Sequence, residues 1–255
     1  ADQAWVAINP KLGLVYRFAD WTTLRISAGR SFAAPTLFEL YTVFTRGPLL
    51  LYGNPALDPE SSWSAEMGWD QRIWKQLIGR MTLFYTRGQD FIGARFIAPN
   101  QMRMDNIAAV QILGLDAEFG YRINPMWKLY AGYTVQWATV VKDEASDELE
   151  GNRLPFVPMH RARLGVLFHY LNWVSADLSA RYEGMRYTDV ENTKDTRLDD
   201  HVLVDLAVSS HPVKHITATV ALKNLLNQKY DIYSVPTEMS AAPGFLMMGY
   251  LTVDF

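Results

Sequence analysis

The side chains best suited to proton transfer or metal ligation near neutral pH are five histidines, His160, His169, His201, His211 and His215. Their spacing matches no zinc-ligand pattern. Cysteine is absent, which removes thiolate clusters, disulfide frameworks and thiol nucleophiles together. A Ser/His/Asp arrangement is the natural catalytic option, because Ser175, Asp177, Asp205, His169 and His201 fall on one face of neighbouring extended segments. No nucleophile elbow or similar context singles out any of them, so shared polarity of that face accounts for them and no enzyme is expected. The run Asp143, Glu144, Asp147, Glu148 and Glu150 offers the oxygen ligands that Ca²⁺ favours, but it lacks an Asp-x-Asp-x-Asp-Gly spacing. It reads as a solvated charged loop, as does the cluster Asp195, Asp199 and Asp200. The thioethers of Met102, Met104, Met239, Met247 and Met248 suit Cu(I), yet scattered methionines ordinarily fill apolar gaps. Neither a metal site nor a resident cofactor is expected.

The best candidate for binding is a long segment, residues 32–60, with many apolar and aromatic side chains. Loops on a rigid scaffold often carry binding residues. Here Phe38, Tyr41 and Tyr52 would close over a small-molecule ligand, with Arg46 meeting an anionic group such as a carboxylate or catecholate complex. The alternative is that these apolar residues pack on neighbouring loops or on a protein partner.

What positions that segment is a repeated period of two. Phe245, Met247, Gly249, Leu251, Val253 and Phe255 share one face of the last segment, against Met248, Tyr250, Thr252 and Asp254. Similar alternation runs from Leu129, Ala162, Val174, Val202 and Ile216, with Arg, Asp, Lys and His on the opposing faces. Stretches of about nine residues or more exceed the usual globular strand of ~5–6 and match a tilted membrane strand. Charged inner faces suit a wet lumen and not a dry core. No run approaches the ~18 apolar residues of a spanning helix, which excludes a helical membrane protein. A barrel that alternates lipid-facing and lumen-facing residues explains a 49% hydrophobic chain with mean hydropathy of only −0.07. A net charge of −3 gives no reason to expect nucleic acid as a partner.

The sequence predicts eleven strands, over approximately 5–18, 21–31, 61–73, 77–95, 102–122, 127–142, 157–170, 173–187, 201–210, 215–230 and 245–255. A β-bulge is expected at Leu113-Gly114, where alternation breaks. Short turns alternate with long polar loops, the pattern of a bacterial outer-membrane barrel with its turns in the periplasm. Trp74, Trp127, Trp173, Tyr187 and Tyr230 near strand ends read as interfacial girdles. Single-chain bacterial barrels have an even number of strands. An odd count implies that the N-terminal part of the protein is missing from this chain or that another polypeptide completes the barrel. The N-terminus ADQAWVAINP has no basic and apolar signal-peptide regions, as expected of a mature or incomplete chain.

Several stretches resemble the C-terminal half of TonB-dependent outer-membrane receptors. Ser27 to Tyr41, SAGRSFAAPTLFELY, resembles the family's Phe-x-Ala-Pro box, and Gly53 to Glu60, GNPALDPE, resembles the Asn-Pro-x-Leu-x-Pro-Glu box that follows it. LGLDAEFGY from Leu113, LPFVPMH from Leu154 and KNLLNQKY from Lys223 resemble later stretches, and Phe255 resembles the barrel-assembly signal. The resemblance implies an all-β antiparallel transmembrane β-barrel of about 22 strands, of which residues 1–255 are the C-terminal portion. The plug domain, the TonB box and the first strands have no counterpart here. It further implies energised uptake of a scarce nutrient, a metal–siderophore complex or a cobalamin-like ligand. The partners would be outer-membrane lipid, the rest of the barrel and its plug, a TonB-type energy coupler, and the small molecule. In haem receptors of the family a His lies between the two boxes; none stands between Thr36 and Gly53, which disfavours haem. Two other classes remain open: a structural or assembly barrel that holds partners, and a barrel enzyme using His169 or His201.

Overall fold

The computed structural model describes residues 5–107, 109–142, 147–171, 173–213, 215–235 and 238–253. In chain order its elements begin with β1 (Lys11–Ala19), β2 (Thr22–Ala33), the short helix α1 (Leu37–Tyr41), β3 (Val43–Arg46) and β4 (Leu49–Tyr52). Next come β5 (Glu60–Arg72), β6 (Leu77–Gln89), β7 (Phe91–Ala98), β8 (Gln101–Ile107), β9 (Ala109–Arg122) and β10 (Trp127–Lys142). The rest are β11 (His160–Tyr170), β12 (Val174–Glu183), β13 (His201–Val213), β14 (Ile216–Lys223), β15 (Asp231–Val235), β16 (Glu238–Ala241) and β17 (Leu246–Val253).

Eleven of these form one sheet in the order β1-β2-β5-β6-β9-β10-β11-β12-β13-β14-β17. Every neighbouring pair in it is antiparallel. They coincide with the eleven expected strands, and sequence order is kept across the sheet. The sheet is an unclosed wall with β1 and β17 at its edges. Its register assigns the faces. Asp70 stands opposite Arg80, Arg80 opposite Glu118, Asp116 opposite Thr134, and Arg163 opposite Arg181. These side chains line a concavity of about 1040 Å³, so the polar face is the concave one. The other face carries Leu24, Trp69, Met81, Leu164 and Met247, with Leu164 61% and Met247 66% exposed. An apolar outside and a charged inside invert the pattern of a water-soluble sheet and define the wall of a membrane β-barrel. Trp74, Trp127 and Trp173 are all exposed at the end of the wall that carries the short turns.

The expected bulge at Leu113-Gly114 is not there. Gly114 pairs in register with Phe84 on one side and Gln136 on the other. What the glycine provides is room: a Cβ at Gly114 would lie 2.3 Å from Cζ of Phe84, whose ring covers the position. Gly165 does the same for Tyr130, whose Cζ would stand 2.2 Å from an added Cβ. Alternation breaks at these points because an aromatic ring from the adjacent strand occupies the missing side chain's place. The actual register shift between β9 and β10 falls near the loop end, between Val140 and Lys142.

Other boundaries also move. The long strand expected over 77–95 stops at Gln89, and Asp90 adopts φ 58°. The chain then leaves the wall as a separate hairpin, β7–β8, turning at Asn100 with φ 60°. The stretch 102–122 is likewise split, into β8 and β9. Residues 32–60 are not an irregular loop but contain α1, β3 and β4. The strand expected over 215–230 ends at Lys223, with a further hairpin, β15–β16, beyond it. The terminal Phe255 and the acidic residues Asp143 and Glu144 lie outside the described residues.

In the complete protein, Gly114→Val should destabilise the barrel by about 1–3 kcal/mol through overpacking against Phe84. Pairing it with Phe84→Ala should recover part of that loss. Urea unfolding in phospholipid vesicles, followed by tryptophan fluorescence, reads both.

Candidate functional site

The loop end of the wall is built from backbone hydrogen bonds before any ligand chemistry is added. Thr36 caps α1: its Oγ1 accepts from the Glu39 N–H at 3.2 Å, and the Glu39 carboxylate accepts from the Thr36 N–H at 2.7 Å. This reciprocal pair satisfies two free donors of the first turn. At the other end the Thr42 carbonyl accepts from Gly53 N–H at 2.6 Å, and the Glu39 carbonyl accepts from Asn54 N–H at 2.8 Å. A Cβ on Gly53 would come within 2.7 Å of the Leu40 and Tyr41 backbone, so only glycine allows this approach. The Phe-x-Ala-Pro box and the Asn-Pro box are thus two halves of one backbone joint.

Asn54 extends the joint to the next loop. Its Oδ1 accepts from Ala56 N–H at 3.0 Å, an Asx turn, while its Nδ2 donates to Asp105 Oδ1 at 3.0 Å. Asn106 accepts from Asp58 N–H and donates back to the Asp58 carbonyl, both at 2.9 Å. The Glu60 carboxylate accepts from Ile92 N–H at 2.7 Å. Strand β4 pairs in parallel with β8, at Leu50–Gln101, Leu51–Met102 and Tyr52–Arg103. The result is a four-stranded sheet in the order β3-β4-β8-β7, built from two loops about fifty residues apart in sequence. Arg103 grips Asp105 with two bonds of 2.9 Å, and that carboxylate raises the guanidinium pKa above its ordinary value.

A second joint ties 147–159 to 184–200. Arg153 N–H donates to Asn192 Oδ1 at 2.8 Å, Asn192 Nδ2 donates to the Arg153 carbonyl at 2.9 Å, and Asn152 Nδ2 donates to the Val190 carbonyl at 3.0 Å. Val190, Leu198 and Pro158 are buried beneath it. A third organises KNLLNQKY. Asn224 and Asn227 adopt the left-handed conformation, and Asp205, 5% exposed, accepts from the Asn224 N–H at 2.9 Å. Arg181 and Lys223 donate to the other Asp205 oxygen at 2.9 and 3.2 Å. Tyr230 stacks on His201 with centroids 4.2 Å apart.

The four expected binding residues all lie in the first loop unit. Phe38 and Tyr41 sit on α1, 49% and 52% exposed. Arg46 occupies the last position of β3, opposite Leu49, next to a turn in which Gly47 has φ 58°. Tyr52 is half-buried in β4, between Val43 and Arg103. None of the four lines the large concavity. Sequence reading missed the side chains that do the joining, Asn54, Asp105, Asn106 and Asn192. The Asn54-Pro55 and Asn100 turn signals were visible, but not their partners.

The other candidates are placed within the concave wall. His169 stands opposite Ser175 across β11 and β12. Asp177 accepts from the Tyr130 hydroxyl at 2.8 Å, and Asp205 is held as above. His201 Nε2 lies 3.7 Å from Glu183. Along the wall, Asp70 accepts two bonds of 3.0 Å from Arg25 and one of 2.9 Å from Arg80, which also reaches Glu118 at 3.4 Å. Cross-strand ion pairs of this kind set the polar lining, although each is partly exposed and individually weak.

A one-layer antiparallel wall with a charged hollow, tight turns at one end and mutually bonded loops at the other defines a membrane barrel of the receptor type. Residues 1–225 match the family described as TonB dependent receptor-like, beta-barrel, and the chain belongs to that family. It is 24% identical over 229 residues to the vitamin B12 transporter BtuB of Photobacterium profundum, covering 86% of this chain and 34% of that protein. It is 22% identical over 255 residues to the hemoglobin and hemoglobin-haptoglobin-binding protein of Haemophilus ducreyi, covering 84% of this chain and 26% of that protein. Among solved structures, the ferric yersiniabactin uptake receptor FyuA from Yersinia pestis shares the fold with a TM-score of 0.70 at 18% identity, over 96% of this chain and 37% of that one. The chain therefore spans about a quarter to a third of the length of these curated relatives.

Asn54→Ala removes two side-chain hydrogen bonds at once, each worth about 1 kcal/mol. Hydrogen exchange should rise in 34–59 and 90–108 together, while the strands of the wall keep their protection; a rise confined to one loop would show that the two are not joined.

Proposed function

We propose that residues 1–255 are the C-terminal portion of a transmembrane barrel in the bacterial outer membrane. The barrel serves energised uptake of a scarce nutrient, a metal–siderophore complex or a cobalamin-like ligand. The remaining strands, a plug and contact with a TonB-type coupler belong to protein outside this chain. The apolar convex face meets lipid, the polar concave face lines the path, and the loops open to the cell exterior. One observation carries the reading: the loop end presents exposed aromatics on a scaffold fixed by hydrogen bonds. Phe38 and Tyr41 project from a capped helix whose both ends are anchored. A preorganised aromatic surface binds a planar or bulky ligand with little entropy cost. Arg46 and Tyr52 on the adjoining hairpin supply a cation for an anionic ligand group and a further ring.

In the complete receptor, Phe38→Ala combined with Tyr41→Ala should weaken binding at least tenfold, measured by fluorescence quenching with a panel of ferric catecholates, ferric hydroxamates and cyanocobalamin. Deleting residues 36–53 should abolish it. Affinity unchanged in both variants would remove this loop unit from ligand capture.

A further inference from the structure

The register sorts the wall side chains onto two faces. Along the in-register ladders the convex face carries no Asp, Glu or Lys, and its only two arginines are Arg30 on β2 and Arg87 on β6. Both stand directly opposite Trp63 of β5, one on each side. Trp63 is 56% exposed, Arg87 is exposed and Arg30 is half-buried. Among the described residues neither guanidinium has a hydrogen-bond or ion-pair partner. Counted from the turn end, Arg30 is the ninth residue of β2, Trp63 the tenth of β5 and Arg87 the eleventh of β6. A tilted strand crosses hydrocarbon in ~9–11 residues, so the three lie where the apolar band ends and headgroups begin. An unpaired cation facing lipid is costly. Two of them beside one indole, with no acid on that face, require an anion from the membrane.

We propose that Arg30, Trp63 and Arg87 form a site on the outside of the barrel for the phosphorylated sugar headgroup of an outer-leaflet lipid. The spacing selects the occupant. Arg30 and Arg87 are two strands apart, about 10 Å at the usual spacing of ~4.8 Å. A guanidinium fork grips a phosphate with paired hydrogen bonds, so two forks at that separation suit two phosphates on one headgroup. The indole between them offers a flat face to the sugar that joins the phosphates, and Trp favours this depth of the membrane. The site also lies at the roots of the jointed loops. Arg30 and Trp63 flank residues 34–59, while Arg87 and its cross-strand partner Gln111 flank 90–108. A headgroup held across this row staples from outside the same two loops that share a sheet through β4 and β8. The inference rests on the outer-membrane placement proposed above and not on the uptake reading.

The test uses the complete protein, purified in a mild non-ionic detergent and stripped of lipid. It is titrated with bis-phosphorylated lipid A, with the same lipid after removal of its phosphates, and with inorganic phosphate, and native mass spectrometry reads the bound fraction. The bis-phosphorylated lipid should bind, and its affinity should fall severalfold in R30Q/R87Q. R30K/R87K should lose less, because lysine keeps the charge without the fork. Folding of each variant is checked by heat-modifiable migration on gels, and R87Q alone, with a smaller loss, serves should the double variant not fold. Adding the lipid should lower hydrogen exchange in 34–59 and 90–108 together. Equal affinity in the wild type and the Gln variants would overturn the site, as would equal binding of the dephosphorylated lipid. Displacement of the lipid by millimolar inorganic phosphate would make a free anion the occupant and overturn the lipid assignment. Membrane fractionation of the same cells separates the two readings. A protein missing from the outer-membrane fraction overturns its placement there; one present in that fraction yet indifferent to lipid A overturns the site alone.

Discussion

Backbone amides and carbonyls have no water to bond in hydrocarbon, so every one within the bilayer must find a partner in the next strand. The rest of the chain follows from that requirement. Ladders must run unbroken for the full thickness, which fixes long strands. Side chains must then alternate between lipid and lumen, which fixes a period of two. The long strands from β5 to β12 show the pattern, with Trp69 and Leu164 outward and Asp70 and Arg163 inward. Edges are expensive in this setting. The unpaired sides of β1 and β17 are the two places where the wall calls for further strands.

With the ladder fixed, the interior is free to be polar, and it is polar in a patterned way. Carboxylates on the wall are held by cations on adjacent strands, by a backbone N–H, or by a hydroxyl, as Asp116 is by Thr134 and Asp177 by Tyr130. Asp70 between Arg25 and Arg80, and Asp205 between Arg181, Lys223 and the Asn224 amide, are the clearest cases. Such pairs add little stability where water reaches them, but they hold long side chains against the wall and leave the hollow open. Tyr130 and Phe84 lie flat over Gly165 and Gly114 to the same effect.

The wall was legible in the sequence because its rule is local. Alternation at Leu129 to Trp137 or Val202 to Val208 needs no knowledge of any other segment. The loop architecture was not legible, for the opposite reason. Strands β4 and β8 each pair locally, with β3 and β7, but they share a sheet because residues 50–52 meet residues 101–103, and neither stretch signals that distant partner. Asn100 was visible as a turn signal, but Asp90, where the backbone also turns left-handed, was visible only as an ordinary polar residue. The misplaced bulge at Gly114 has a similar origin, since the side chain that fills its space comes from Phe84, thirty residues earlier. Of the proposed binding residues, the sequence supplied type and neighbourhood for Phe38, Tyr41, Arg46 and Tyr52. The capping box Thr36-x-x-Glu39 is itself a local signature, but the joint to Gly53 that fixes the helix in place is not.

The parallel contact between β4 and β8 has an evolutionary corollary. Two segments that share a sheet cannot diverge independently, because an insertion in one shifts the pairing of the other. Grafting residues 34–59 alone from a relative with a different specificity would leave Asp105 and Asn106 facing strangers. Diversity in such receptors should therefore arrive in matched pairs of loops, inherited or exchanged as one cassette.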